Sequence, residues 1–276
     1  MTASTQYAEP LLAPALNGDA SWFEASARQR IDGLLDAHTF QEFLGPEHRE
    51  TSPHLAIFDL PTQFDDGMVV GEGRLNGAAV MVAAQEGKFM GGAFGEVHGA
   101  KLTGLLRAAA VRRVPVVGLI GGRAGCYGGG SLIAGCCSGL AISELGRLSV
   151  SGPEVIETNR GIEEFDAADR PLIWRTMGGK HRYLLGAVEA FVDDSIPQFR
   201  HAAIGLIAQA PALNLDRLAL VQSRLADRLA RFGGCADATD VWRALGVDAN
   251  VDVPDLEPEA FLALAQSLKE AEHDVR

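Results

Sequence analysis

A chain of 276 residues with 47% hydrophobic and 22% charged side chains can bury a sizeable core, as one large or two small domains. Its net charge of −12 disfavours nucleic acid and anionic membranes as partners, because both need a basic footprint to gain from counterion release. No window approaches the roughly 18 consecutive apolar residues of a membrane helix, and the opening MTASTQYAEPLLAPALNGDA has no basic segment followed by an apolar one, so a cytoplasmic location is expected.

The first twenty residues read as a loose tail. Ser21-Trp22-Phe23-Glu24 then offers an S-x-x-E capping box ahead of Ala27, Ile31, Leu34 and Leu35, which predicts an amphipathic helix from about Ser21 to Asp36. Past Pro46 and Pro53, residues 57–84 switch to β-type patterning, and Asn76-Gly77 predicts a two-residue hairpin turn. A Gly-rich turn at Met90-Gly91-Gly92 leads into a helical run from about Gly95 to Arg113. The apolar strand Val114 to Ile120 follows, then a second Gly-rich turn ending Gly128-Gly129-Gly130 and another apolar helix. Apolar strands alternating with helices predict βαβ units and a mostly parallel sheet.

Short strands are expected at Leu140–Ser143 and Leu148–Val150, and Pro153 is placed to open a helix. From Pro171 onward the pattern is mostly helical. An acidic linker, Val247 to Asp255, precedes a terminal helix within Pro254–Arg276 that docks on the body or meets a partner. The helical stretch Leu213 to Leu229 fits partner contact and core packing equally well.

Cys126, Cys136, Cys137 and Cys235 include no CxxC pair, which points to reduced, buried thiols rather than a disulfide frame or a zinc site. An anionic substrate would need a local basic patch, for which Arg112-Arg113 and Lys180-His181-Arg182 are the candidates; either run alone reads first as a solvated charged face, with His181 at the surface or an interface.

The segment Val114 to Leu132 carries the most chemistry. A strand runs into glycines that open a helix, so backbone N–H groups of the first helical turn, with the helix dipole behind them, suit a developing oxyanion. Neither G-x-x-x-x-G-K-[ST] nor G-x-G-x-x-G occurs here, which weakens a nucleotide reading. Lys88 to Glu96 repeats the pattern, and in a parallel sheet both turns would lie at one carboxyl edge, letting two donors converge. Glycines that merely permit close helix packing are the bland alternative.

These segments resemble the crotonase superfamily, and more narrowly the N-terminal carboxyltransferase domain of acyl-CoA carboxylases. Ala27 to Asp36 resembles the opening helix of carboxyltransferase subunits; Gly73-Arg74-Leu75-Asn76-Gly77, Phe89-Met90-Gly91-Gly92 and Gly95-Glu96 resemble their next block. Leu132 stands where hydratases of the superfamily carry a glutamate, so water addition is not expected. The first cysteine is Cys126, so the zinc ribbon of bacterial acetyl-CoA carboxyltransferases is missing, as is a Met-Lys-Met biotin site. The run Ser151 to Gly161, with Phe165-Asp166, Asp169-Arg170 and Trp174-Arg175-Thr176, resembles the beta subunits of biotin-independent malonate decarboxylases.

The resemblance implies an α/β, crotonase-like spiral of ββα units over 21–210, with a helical extension over 211–276. It implies decarboxylation of a malonyl thioester through an enolate held by N–H groups of Gly91 and Gly129, with Met90, Gly92, Gly128 and Gly130 at the substrate. Met90, Phe94 and Leu132 would line an apolar pocket, and Tyr127, Cys126 and His98 are nearby proton-donor candidates. It further implies no bound cofactor, zinc or biotin beyond the phosphopantetheine-type arm of an acyl carrier protein. The implied partners are that carrier, a homologous gamma subunit sharing the site, and an acyltransferase subunit. A biotin-dependent carboxyltransferase subunit and a non-catalytic scaffold are the alternatives.

Overall fold

The computed structural model describes residues 20–45, 52–58, 67–212 and 218–274, so nearly all of the expected N-terminal tail lies outside the described residues. The first helix, α1 (Ala27–Leu34), starts later than predicted. Ser26 is its N-cap, in a complete capping box with Gln29. Ser21 instead donates its hydroxyl to Asp194 Oδ2 at 2.5 Å, and Phe23 N–H donates to Oδ1 at 2.9 Å. A long-range carboxylate thus claims the earlier serine.

β1 (Gln41–Glu42), β2 (Met68–Leu75) and β3 (Ala78–Gln85) form an antiparallel sheet in that order, while Pro53–Phe58 is a 3₁₀ turn rather than the start of a strand. Asn76 and Gly77 sit at φ 50° and 78°, the left-handed pair that a two-residue hairpin needs. The Asp36 carboxylate accepts both of their N–H groups, at 3.0 and 2.8 Å, and a 2.5 Å bond from Arg200, so the hairpin is clamped to the second half of the chain.

α2 (Glu96–Arg112) leads to β4 (Val117–Ile120). The strand begins later than expected, beyond Pro115, which has no N–H for a ladder. α3 (Gly129–Cys136), β5 (Gly139–Ser143), α4 (Pro153–Arg160), α5 (Arg170–Met177) and α6 (Gly179–Leu184) follow. β6 (Ala190–Val192), which the sequence pattern did not announce, α7 (Ile196–Gln209), α8 (Leu218–Phe232), α9 (Ala238–Ala244) and α10 (Pro258–Asp274) complete the order. β4, β5 and β6 pair in parallel, with Ile120 opposite Ile142 and Ile142 opposite Phe191. The expected mostly parallel sheet is therefore two three-stranded sheets, one antiparallel and one parallel. A two-residue turn can only return a strand antiparallel, whereas parallel neighbours need a crossover. Leu148 makes a single bridge, to Cys126, instead of starting a strand.

The largest buried cluster joins Ile120, Leu140, Ile142 and Phe191 of the parallel sheet to Trp242, Val247, Val253 and Phe261. The C-terminal helix thus docks on the body, and the acidic segment before it is anchored by Val247 and Val253 rather than being a free linker. A second cluster packs Ala27, Ile31 and Leu35 on Val69, Leu75 and Ala203. On α8, Leu220, Val221, Leu225 and Leu229 are exposed, so core packing does not account for them; residues 213–217 of the expected helix lie outside the described residues.

The same C-terminal cover overturns the solvated reading of the second basic run. Lys180 and His181 are each only 6% exposed. Lys180 Nζ donates to Glu144 Oε1 (2.9 Å) and to the carbonyls of Pro254 (2.7 Å) and Leu256 (2.5 Å). His181 Nδ1 accepts the Trp242 indole N–H at 3.2 Å. Burial first, and then neighbouring Arg182, press the His181 pKa from 6.5 to about 3. Between those values the unfolded chain binds a proton that the folded chain refuses, so stability declines as pH falls below 6.5. The urea midpoint of the wild type is expected to drop between pH 6.5 and 4, and His181→Gln should flatten that dependence; an unchanged slope would remove His181 as its source.

All four cysteines are free. Burial raises the Cys126 and Cys137 thiols to about 11 and about 12, while Cys136, at the end of α3, is exposed rather than buried. Among the described residues no helix is long and apolar enough to cross a membrane.

Candidate active site

Residues 127–130 form a type II′ turn. The Tyr127 carbonyl accepts Gly130 N–H at 3.1 Å, and Gly128 sits at φ 52°, ψ −125°, a conformation available to glycine without strain. Gly128 N–H donates to Val150 O at 3.0 Å. Ser131 Oγ (2.8 Å) and Leu132 N–H (3.2 Å) both donate to Gly128 O. The Gly130 N–H is therefore engaged within the turn. Gly129 N–H, at the first position of α3, has no carbonyl one turn earlier in its own helix. Of these two glycines, Gly130 has its N–H committed to Tyr127 and Gly129 heads the helix.

The other turn, Phe89–Gly92, places Met90, Gly91 and Gly92 successively at φ 46°, 69° and 84°. A methionine in this region costs about 1–2 kcal/mol relative to the right-handed form, a strain held by Ala93 N–H to Met90 O (3.3 Å) and Gln85 Nε2 to Gly92 O (2.5 Å). At Gly91 and at Gly128 a Cβ would meet nothing within 4 Å, so both turns face open space.

The turns come together across the two sheets rather than along one sheet edge, which corrects the expectation of a shared parallel edge. Gly92 lies on the Ala124 side chain, and a Cβ on Gly129 would sit 3.1 Å from Phe94 Cε1. Phe94, Cys126, Gly130, Ile133 and Cys137 line a cavity of about 750 Å³ together with leucines of α2. Of the three residues expected to line an apolar pocket, Phe94 lines this cavity and Met90 does not, while Leu132 is 65% exposed.

The three proton-donor candidates separate. His98 is fully buried between the Phe89 and Phe94 rings, and its Nδ1 accepts Gly95 N–H at 3.0 Å; it caps α2 and holds Phe94. The Cys126 thiol stays protonated well above neutral pH. Tyr127 also has a raised pKa, chiefly through burial, and among the described residues its buried hydroxyl has no hydrogen-bond partner. Arg147 and Arg182 both act electrostatically on that phenol; the sequence marks Arg182 only as part of a basic run and gives no motif for Arg147.

Two strand-ending glycine turns, each opening a helix and meeting its counterpart at an exposed face, define a crotonase-type carboxyltransferase fold. Residues 24–138 match the carboxyl transferase domain family. The chain is 32% identical to the malonyl-S-ACP:biotin-protein carboxyltransferase of Malonomonas rubra, over 91% of this chain and 97% of that protein. It superposes on a chain of a Pseudomonas malonate decarboxylase hetero-tetramer, solved in complex with malonate, at TM-score 0.72 and 34% identity, covering 82% of this chain and 97% of the other. The corresponding values for a chain of the Pseudomonas MdcD-MdcE hetero-dimer are 0.57, 29%, 75% and 97%. The chain belongs to the carboxyltransferase-type family of malonate decarboxylase subunits.

Proposed function

We propose that this chain is the beta subunit of a biotin-independent malonate decarboxylase, converting a malonyl thioester on an acyl carrier protein to an acetyl thioester. The observation that carries the reading is the Gly129 N–H, left without a partner in its own helix by its place at the head of α3, with Phe94, three residues past Gly91, packed against that glycine. When the bond to the carboxylate carbon breaks, CO₂ leaves and its electron pair passes into the thioester, making an enolate. Two fixed N–H donors stabilise that oxygen more in the transition state than in the ground state, each by about 2.7–4 kcal/mol. A proton then adds at carbon, from water or from a neutral side chain such as Tyr127. The substrate arrives on the carrier's phosphopantetheine-type arm, with no zinc or biotin in this chain.

The open face at Gly91 and Gly128 fits a site completed by a second subunit, which we take to be a homologous gamma subunit, with an acyltransferase subunit loading the carrier in the cytoplasm. Both malonate decarboxylase structures above are of hetero-oligomers. The likeness to a biotin-protein carboxyltransferase favours a second reading, in which the carboxyl group passes to biotin on another protein. CO₂ release from malonyl thioester by the chain co-purified with its partner, with and without avidin, separates them. Avidin-insensitive release is expected; release that requires biotin would establish the transferase.

A further inference from the structure

Three segments distant in sequence are stitched side by side behind the Gly128 turn. Cys126 bridges Leu148 in parallel and Arg147 bridges Gly178 antiparallel, with Cys126 N–H donating to Arg147 O at 2.8 Å. Tyr127, Arg147 and the head of α6, which carries Arg182, are thereby held together. The Tyr127 ring covers Gly125, where a Cβ would come within 2.7 Å of Cε2, and lies 3.5 Å from the corresponding point on Gly152. Both glycines make room for the phenol.

What distinguishes this cluster is its unanswered donors. Among the described residues, Tyr127 Oη, Arg147 Nε and Arg182 Nε are all buried without a hydrogen-bond partner. Arg147 stacks over the Trp174 ring at 5.3 Å and donates through Nη2 to Arg123 O. Among the described residues Arg182 has no ion pair; its charged neighbour is Arg228, which itself donates to Gly186 O at 2.6 Å. Burial and Arg228 lower the Arg182 pKa to about 10, which leaves it a cation at neutral pH. Glu154, exposed on the rim, acts electrostatically on Tyr127 but pairs with neither arginine. Leaving a buried guanidinium N–H without an acceptor costs free energy that an incoming anion would recover. Among the described residues no carboxylate bonds to either Nε.

We propose that Arg182, Arg147 and Tyr127 form a carboxylate-binding site, and that it holds the free carboxylate of the malonyl group. The inference rests on the malonyl-thioester reading above. Guanidinium forks match a planar carboxylate, and a neutral phenol adds a third donor. Tyr127 is bonded to Gly128, one residue from the Gly129 N–H. The two ends of one three-carbon acyl group, carboxylate and thioester oxygen, are thus addressed from neighbouring residues. Arg182 orients the leaving group and sets affinity, while the glycine turns carry the charge that develops.

The test is calorimetric titration of the chain co-purified with its partner subunit. The probes are the amide analogues of malonyl- and acetyl-pantetheine, which lack phosphate and do not decarboxylate, and inorganic phosphate. Arg182→Gln is expected to weaken the malonyl analogue about 10- to 100-fold, on the scale of a lost charge-assisted bond, and to leave the acetyl analogue unchanged. Arg182→Lys should restore part of the loss, and Tyr127→Phe should weaken the malonyl analogue severalfold. Equal weakening of both analogues, or none, would overturn the assignment. So would a loss confined to phosphate binding, which would make this a site for the carrier arm's phosphate. Should Arg182→Gln fail to fold, the lysine and phenylalanine variants decide alone. Binding is read without CO₂ release, so failure of the decarboxylase reading shows in the avidin assay and failure of this one in the titration.

Discussion

Gly129→Val is expected to lower CO₂ release from malonyl thioester by about 10²–10³-fold, the loss seen when one oxyanion donor is removed, with the subunit complex still assembling. The side chain would start 3.1 Å from the Phe94 ring, and neither neighbour has freedom to yield. Phe94 is braced by His98, with ring centroids 5.4 Å apart, and the turn is fixed by the bonds from Gly130 N–H and Ser131 Oγ. The valine therefore tilts the Gly129 N–H without removing it, so substrate binding should change far less than turnover. Single-turnover CO₂ release, paired with size-exclusion of the complex, reads both. Full activity in an intact complex would mean that the glycines are structural and that the partner holds the site, which is the scaffold alternative.

Phe261→Ala should cost about 3–5 kcal/mol of stability, the usual penalty for emptying a buried aromatic site. Phe261 is completely buried and joins α10 to the parallel sheet through Phe191, at 4.7 Å between centroids, and to α6 through Tyr183, at 6.0 Å. Urea unfolding should show the lower midpoint; a cost below about 1 kcal/mol, within the range of ordinary surface substitutions, would show that α10 does not share the core. Because Lys180 is bonded to the carbonyls of Pro254 and Leu256, just ahead of this helix, the loss should also expose the ammonium to solvent.

What the sequence made legible was local. Asn76-Gly77 dictates its own backbone geometry, so the hairpin was readable, and the run into Gly128-Gly129-Gly130 announced a helix opened by glycines. Where two local answers competed, distant residues decided. Ser21 and Ser26 each have a Glu or Gln three positions on; Ser21 Oγ accepts Glu24 N–H at 3.1 Å, but its proton goes to Asp194 and the Glu24 carboxylate pairs with Arg123, so only Ser26 completes its box. Lys180 and His181 look solvated in a basic run, yet their cover comes from residues 242–256. β6, three residues long, is too short for a periodic signal. The choice between Gly129 and Gly130 turned on one hydrogen bond to Tyr127. The cluster around Arg182 is spread over 56 positions, from Tyr127 to Arg182, with nothing in its spacing to join them.

The two glycine turns hang from separate sheets, so the gap between their amides is an interlayer distance. Its gauge is the apolar filling between the layers, including Leu105 of α2 and Ile133 of α3, which line the cavity beside Phe94. Enlarging or trimming those side chains would work like changing a shim: the spacing of the amides, and with it the fit to an enolate oxygen, would shift while every residue of both turns stayed the same. On the proposed mechanism, turnover would then be open to tuning from the interior, at positions outside both turns.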